Sequence, residues 1–97
     1  MNLIKTIARL RKRKGMSQAQ LAKVSGLSTT YISLMESGKK SPTLKSLEKI
    51  SQGLEVPFPI LSFMALDDED VHPDKRSAFK LVAPAVNAMI EEFFLGE

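Results

Sequence analysis

The chain has no cysteine and no tryptophan, one histidine, one tyrosine, and only five glycines and five prolines in 97 residues. Without cysteine there is no disulfide framework and no thiolate metal site. The single histidine, His72, excludes a histidine-rich metal centre within one chain. The same absences speak against catalysis, because no nucleophile–base pair can be assembled from cysteine and histidine, and His72 falls in the loop-like run DDEDVHPD. The carboxylates of Asp67, Asp68, Glu69 and Asp70 lack the glycine and the ligand order of a calcium loop. The expectation is a protein that is not an enzyme and needs no metal or cofactor. No apolar run approaches the roughly 20 residues of a membrane span. The opening MNLIKTIARLRKRKG is basic and amphipathic, but it lacks the apolar core and cleavage site of a secretory signal. A cytoplasmic protein with no membrane partner is expected.

What the chain does have is charge sorted by position. Residues 1–55 hold 11 Lys/Arg against 3 acidic residues, whereas residues 56–97 hold 3 against 8. A basic head and an acidic tail place a polyanion-binding surface at one end only. At 97 residues the chain suits one small domain whose modest core gains from a partner subunit.

The most informative stretch is residues 17–42, SQAQLAKVSGLSTTYISLMESGKKSP. It reads as two short helices, 18–25 and 29–37, joined by a tight turn. Ser17 and Ser28 are suited to cap them, each side-chain oxygen taking a hydrogen bond from an orphan backbone N–H. Gly26 stands where the first helix reverses and can adopt the left-handed conformation such a stop requires. Ala22 is small where two helix axes approach, and Leu21, Leu27, Ile32 and Met35 supply inward apolar contacts. Two helices so joined form a helix-turn-helix, whose second helix is built to enter the major groove of DNA.

Those residues, with Gly15 before them and Glu36, Ser37, Gly38, Lys39, Lys40, Ser41 and Pro42 after, resemble the Cro/repressor type of helix-turn-helix, the XRE family. The resemblance covers about residues 2–66. It implies an all-α, five-helix, lambda-repressor-like bundle, here carrying a C-terminal helical extension. The periodicity agrees. A first helix over 2–14 carries Ile4, Ile7, Ala8 and Leu10. A fourth, capped by Thr43, carries Leu44, Leu47, Ile50 and Leu54. A fifth, from Pro57, carries Phe58, Ile60, Leu61, Phe63 and Met64. Residues 67–97 form an acidic connection and the extension. Because proline is poorly tolerated inside a helix, Pro84 predicts a break near Ala83, with helices over 73–82 and 84–95.

The expected partner is a double-stranded DNA operator. Thr29, Thr30 and Ser33 lie on the outer side of the second helix of the motif, opposite Ile32 and Met35, and are the candidate base readers. Leu34 either packs on a thymine methyl or abuts a neighbouring helix. Gln18 heads the first helix of the motif, beside amides suited to a phosphate, and the resemblance implies a backbone contact there. Tyr31 reaches a phosphate or covers the core. Lys39, Lys40 and Ser41, with the amides of their loop, are candidate phosphate contacts, which position a protein without reading sequence. The resemblance also implies that Arg11 and Glu36 pair as a scaffold fixing the recognition helix.

One such unit presents few base contacts, so a homodimer reading two half-sites is expected. Val86, Met89, Ile90, Phe93 and Phe94 are the predicted dimer surface, against a competing arrangement in which the tail folds over its own bundle. The leading functional expectation is a sequence-specific transcriptional repressor. The alternative is an antitoxin that binds its own operator with the head and a toxin, as protein partner, with the C-terminal region. An unpaired acidic segment over residues 67–70 would suit a basic partner.

Overall fold

The computed structural model describes residues 1–96. Six α-helices follow in order: α1 Leu3–Arg13, α2 Gln18–Ser25, α3 Thr29–Glu36, α4 Leu44–Leu54, α5 Phe58–Met64 and α6 Arg76–Ile90. Two single 3₁₀ turns, Asp68–Asp70 and Pro73–Lys75, make the acidic connection, and a π-helical turn, Glu91–Leu95, continues from α6.

Local chemistry sets the boundaries. Asn2, Ser17, Ser28 and Thr43 each accept a hydrogen bond at the head of α1, α2, α3 and α4, from the amides of Lys5, Gln20, Tyr31 and Ser46. Ser17 and Gln20 form a reciprocal capping box. Gly26 ends α2 at φ 69°, the left-handed value its position demands. The core draws on every element of the bundle: Ile7, Leu10, Leu21, Ile32, Met35, Ile50, Leu54 and Leu61 are all 0% exposed. α2 and α4 meet closely because Ala22 is small and Gly53 has no side chain. A Cβ at Gly53 would overlap the Ser25 hydroxyl.

α4 ends at Glu55, which sits at φ 58°. The other positive-φ residues, at 15, 26 and 38, are all glycine. A left-handed conformation costs an L-residue about 1–2 kcal/mol. Replacement by glycine removes that strain but adds unfolded-chain entropy worth about 0.4–1 kcal/mol. Glu55→Gly is therefore expected to raise stability by about 0.5–1 kcal/mol, read as a higher urea midpoint at unchanged slope. A lower midpoint would show that Glu55 is not strained.

The extension departs from expectation. α6 runs unbroken through Pro84 rather than breaking near Ala83. Proline at 84 frees the carbonyl of Lys80 from its helical bond, and both residues are exposed, so water can satisfy it. On the opposite side Phe79, Ala83, Val86, Ile90 and Phe94 face the bundle, and their burial keeps the helix continuous across the proline. The Phe79 ring packs 6.4 Å from that of Phe63 on α5. Glu91 then meets α1, at 3.3 Å from Arg13 and 3.7 Å from Arg9.

The acidic connection is not unpaired. Asp70 and Asp67 lie 2.7 and 3.3 Å from the Met1 ammonium, and Asp68 lies 3.4 Å from Lys80. The Arg76 guanidinium donates to the carbonyls of Asp68 and Val71. This corrects the expectation of a wholly unpaired acidic segment: three of its four carboxylates meet a cation of their own chain, and Glu69 has no ion-pair partner among the described residues.

Candidate nucleic-acid interface

α3 is only eight residues long, and its two sides are sharply divided. Ile32 and Met35 are fully buried, while Thr29, Thr30, Ser33 and Leu34 are exposed. Leu34 is 36% exposed, so part of its isobutyl group faces outward. Three hydroxyls and one isobutyl group thus share a convex surface, with donors, acceptors and apolar contact but no bidentate reader.

The far end of α3 is clamped to α1. Arg11 donates through Nε to Glu36 Oε2 at 2.8 Å and through a terminal nitrogen to Oε1 at 2.9 Å, and its other terminal nitrogen donates to the Met16 carbonyl at 2.8 Å. The two side chains are 10% and 8% exposed. Hydrogen bonding to Glu36 raises the Arg11 guanidinium further above its ordinary value. Burial pushes the Glu36 carboxyl up, but the hydrogen bonds from Arg11 and Gln18 and the nearby positive charge outweigh it, holding Glu36 below the usual carboxylate range. Gln18 joins this cluster, its amide donating to Glu36 Oε1 at 3.1 Å. Its side chain is thus directed at Glu36 rather than at solvent, and of the first amides of α2 that of Gln20 is taken by Ser17 Oγ at 3.0 Å.

The loop after α3 differs from expectation in one respect. The amides of Ser37, Gly38, Lys39 and Lys40 donate to the carbonyls of Ser33, Met35, Leu34 and Leu34, so these four are not available to a phosphate. The exposed side chains of Lys39, Lys40 and Ser41 are. Lys40 Nζ lies 5.4 Å from the centre of the Tyr31 ring. The Tyr31 hydroxyl shares a 2.7 Å hydrogen bond with Ser46 Oγ and accepts from the Thr43 amide at 3.4 Å, tying α3 to the head of α4. Burial would raise the Tyr31 phenol, yet these hydrogen bonds and the Lys40 charge bring it below the usual tyrosine value.

Two further lysines belong with these, although no motif in the sequence singles them out. Lys45 and Lys49, one helical turn apart on α4, line a basin of about 300 Å³ with Tyr31, Lys40 and Thr43. Their i, i+4 spacing marks one face of a helix. Only the fold brings that face beside Lys40.

The predicted dimer surface divides. Met89 and Phe93 are 57% and 75% exposed, whereas Ile90 is 5% exposed within its own subunit's core, with Val86 and Phe94 packed against it. The assignment of Ile90 to a subunit contact is thereby corrected, because the inward turn of α6 takes it. Leu81 and Val82, 79% and 51% exposed, lie with Met89 and Phe93 on the outward side.

Residues 7–61 match the helix-turn-helix family, over more than half of the chain. The chain is 40% identical over 53 residues to the HTH-type transcriptional regulator SutR of Escherichia coli (strain K12), covering 55% of this chain and 30% of that protein. It is 41% identical over 49 residues to an uncharacterized HTH-type transcriptional regulator, y4dJ, of Sinorhizobium fredii (strain NBRC 101917 / NGR234), covering 50% of this chain and 64% of that one. The chain thus spans less than two thirds of either relative's length. No solved structure matches it. The chain belongs to the helix-turn-helix family, of the XRE type expected from residues 17–42.

Proposed function

We propose that this helix-turn-helix protein is a DNA-binding transcriptional regulator that acts as a dimeric repressor, with α3 in the major groove. The observation that carries the reading is the division of α3: its inner residues are locked in the core and its end is clamped by Arg11, leaving Thr29, Thr30, Ser33 and Leu34 outward. A rigid rod with exposed hydroxyls on one side fits a groove about 12 Å wide. Lys39, Lys40, Lys45 and Lys49, with the head of α2, hold the flanking phosphates. Both relatives are named as HTH-type transcriptional regulators, which supports the regulatory part of this reading. Selection of bound sequences from random duplexes tests it. The expected product is a twofold-symmetric pair of half-sites one helical turn apart, about 34 Å. Recovery of no enriched sequence would reject it.

The second copy docks on the outward side of α6. Leu81, Met89 and Phe93 stand eight and four residues apart, with Val82 beside Leu81, and together they leave more apolar surface in water than an isolated helix face favours. The double variant Leu81→Asp, Phe93→Asp alters only exposed positions, so it should fold normally and sediment as a monomer, with weakened operator binding. Wild-type protein that is already monomeric at micromolar concentration would remove this assignment.

A further inference from the structure

We propose that the groove between the α4–α5 corner and the π-helical end of the tail binds a small apolar amine. Its hydrocarbon part would rest on Val56, Phe58 and Phe94, with its ammonium held by Glu48 and Glu55. This goes beyond the DNA reading and does not depend on it.

The groove is open to solvent on one side and offers about 390 Å³, a volume within the range of small-molecule sites. Its walls are chemically one-sided. Val56, Pro57, Phe58 and Phe94 form an apolar surface. Facing them are Glu48, Ser51, Gln52 and Glu55, at positions i, i+3, i+4 and i+7 along α4 and its cap. Neither Glu48 nor Glu55 has an ion-pair partner among the described residues. The Ser51 hydroxyl donates its proton to the Leu47 carbonyl at 2.9 Å, so what it offers the groove is lone pairs. Two unpaired carboxylates and the Ser51 lone pairs beside aromatic rings, with Gln52 able to donate or accept, favour a cation with an apolar body over an anion.

The backbone adds an independent observation. Among the described residues, Glu55 is the one non-glycine residue at positive φ. Strained backbone of this kind concentrates at ligand sites, where the side chain is worth more than the relaxed conformation. Phe94, the opposite wall, stands on a π-helical turn, a geometry frequent at functional sites.

The test is titration of the full chain with 2-phenylethylamine, followed by amide NMR, with 2-phenylethanol and 3-phenylpropionate as neutral and anionic counterparts. Saturable shifts confined to residues 48–58 and the Phe94 region, strongest for the amine and absent for the carboxylate, are expected. The double variant Glu48→Gln, Glu55→Gln should weaken amine binding about fivefold and erase its advantage over the alcohol. Glu55→Gly should bind the amine more weakly although it is the more stable protein. Equal binding of all three compounds, no saturable shift at these residues, or unchanged affinity in the double variant would overturn the proposal. So would shifts at the same residues on simple dilution, which would give the groove to a second copy.

Discussion

Glu36→Ala is expected to lower stability by about 3 kcal/mol, because it leaves the Arg11 guanidinium buried without its counter-charge. In a chain of this size that corresponds to a fall in melting temperature of roughly 12–24 °C. The Arg11–Met16 hydrogen bond survives the change, but both bonds to the carboxylate disappear, as does the acceptor for Gln18. The double variant Arg11→Met, Glu36→Leu should recover most of the loss, since an apolar pair of similar volume needs no desolvation. Thermal unfolding of the two variants decides the matter. A single variant within about 0.5 kcal/mol of wild type would mean that water reaches the pair. The same carboxylate gives a pH dependence. Glu36 titrates below its ordinary value of 4.5, so its contribution is fully present above that value and drains away as pH falls through the lower, folded-state value. Acid unfolding should therefore be shallower in the Arg11→Met, Glu36→Leu protein.

Changing Lys39, Lys40, Lys45 and Lys49 together to alanine should flatten the dependence of log affinity on log salt by roughly 3.5, at about 0.9 for each phosphate no longer neutralised. Affinity should fall to a similar degree on operator and random duplexes if these side chains hold phosphates as proposed, since phosphate contacts carry no sequence information. Lys75→Ala, on the far connection, is the control and should leave the slope unchanged. Titrations at several salt concentrations measure both. An unaltered slope in the quadruple variant would place the DNA on another face, while Thr29, Thr30 and Ser33 would lose their role as base readers with it.

Much of this arrangement is legible in the residues because it is set by neighbours in sequence. Ser17, Ser28 and Thr43 cap helices through bonds spanning three residues, and Gly26 reverses the chain where only a left-handed turn fits. The alternation of Ile32 and Met35 with exposed hydroxyls fixes which side of α3 looks outward. What is not legible depends on distant partners. Pro84 predicts a break by local rules, but its freed carbonyl faces water and Ala83, Val86 and Ile90 hold the helix together from the other side. Gln18 has the position of a phosphate ligand, yet its amide turns to a carboxylate 18 residues away. Lys45 and Lys49 look like an ordinary solvated face until α4 is set against Tyr31. Gly53 gives no local signal at all, since its reason is the Ser25 hydroxyl on another helix.

Glu91 sits against both Arg9 and Arg13. This one carboxylate offsets part of the positive charge of α1, while Lys39, Lys40, Lys45 and Lys49 have no ion-pair partner among the described residues, so the tail shifts the balance of positive charge toward the loop and α4. Under the proposed DNA reading, a polyanion approaching from a distance would turn the lysine-bearing side of α3 and α4 toward it before the two touch. Productive encounters are thereby favoured over random adhesion, and the advantage fades once salt shortens the reach of the field to below the size of the molecule.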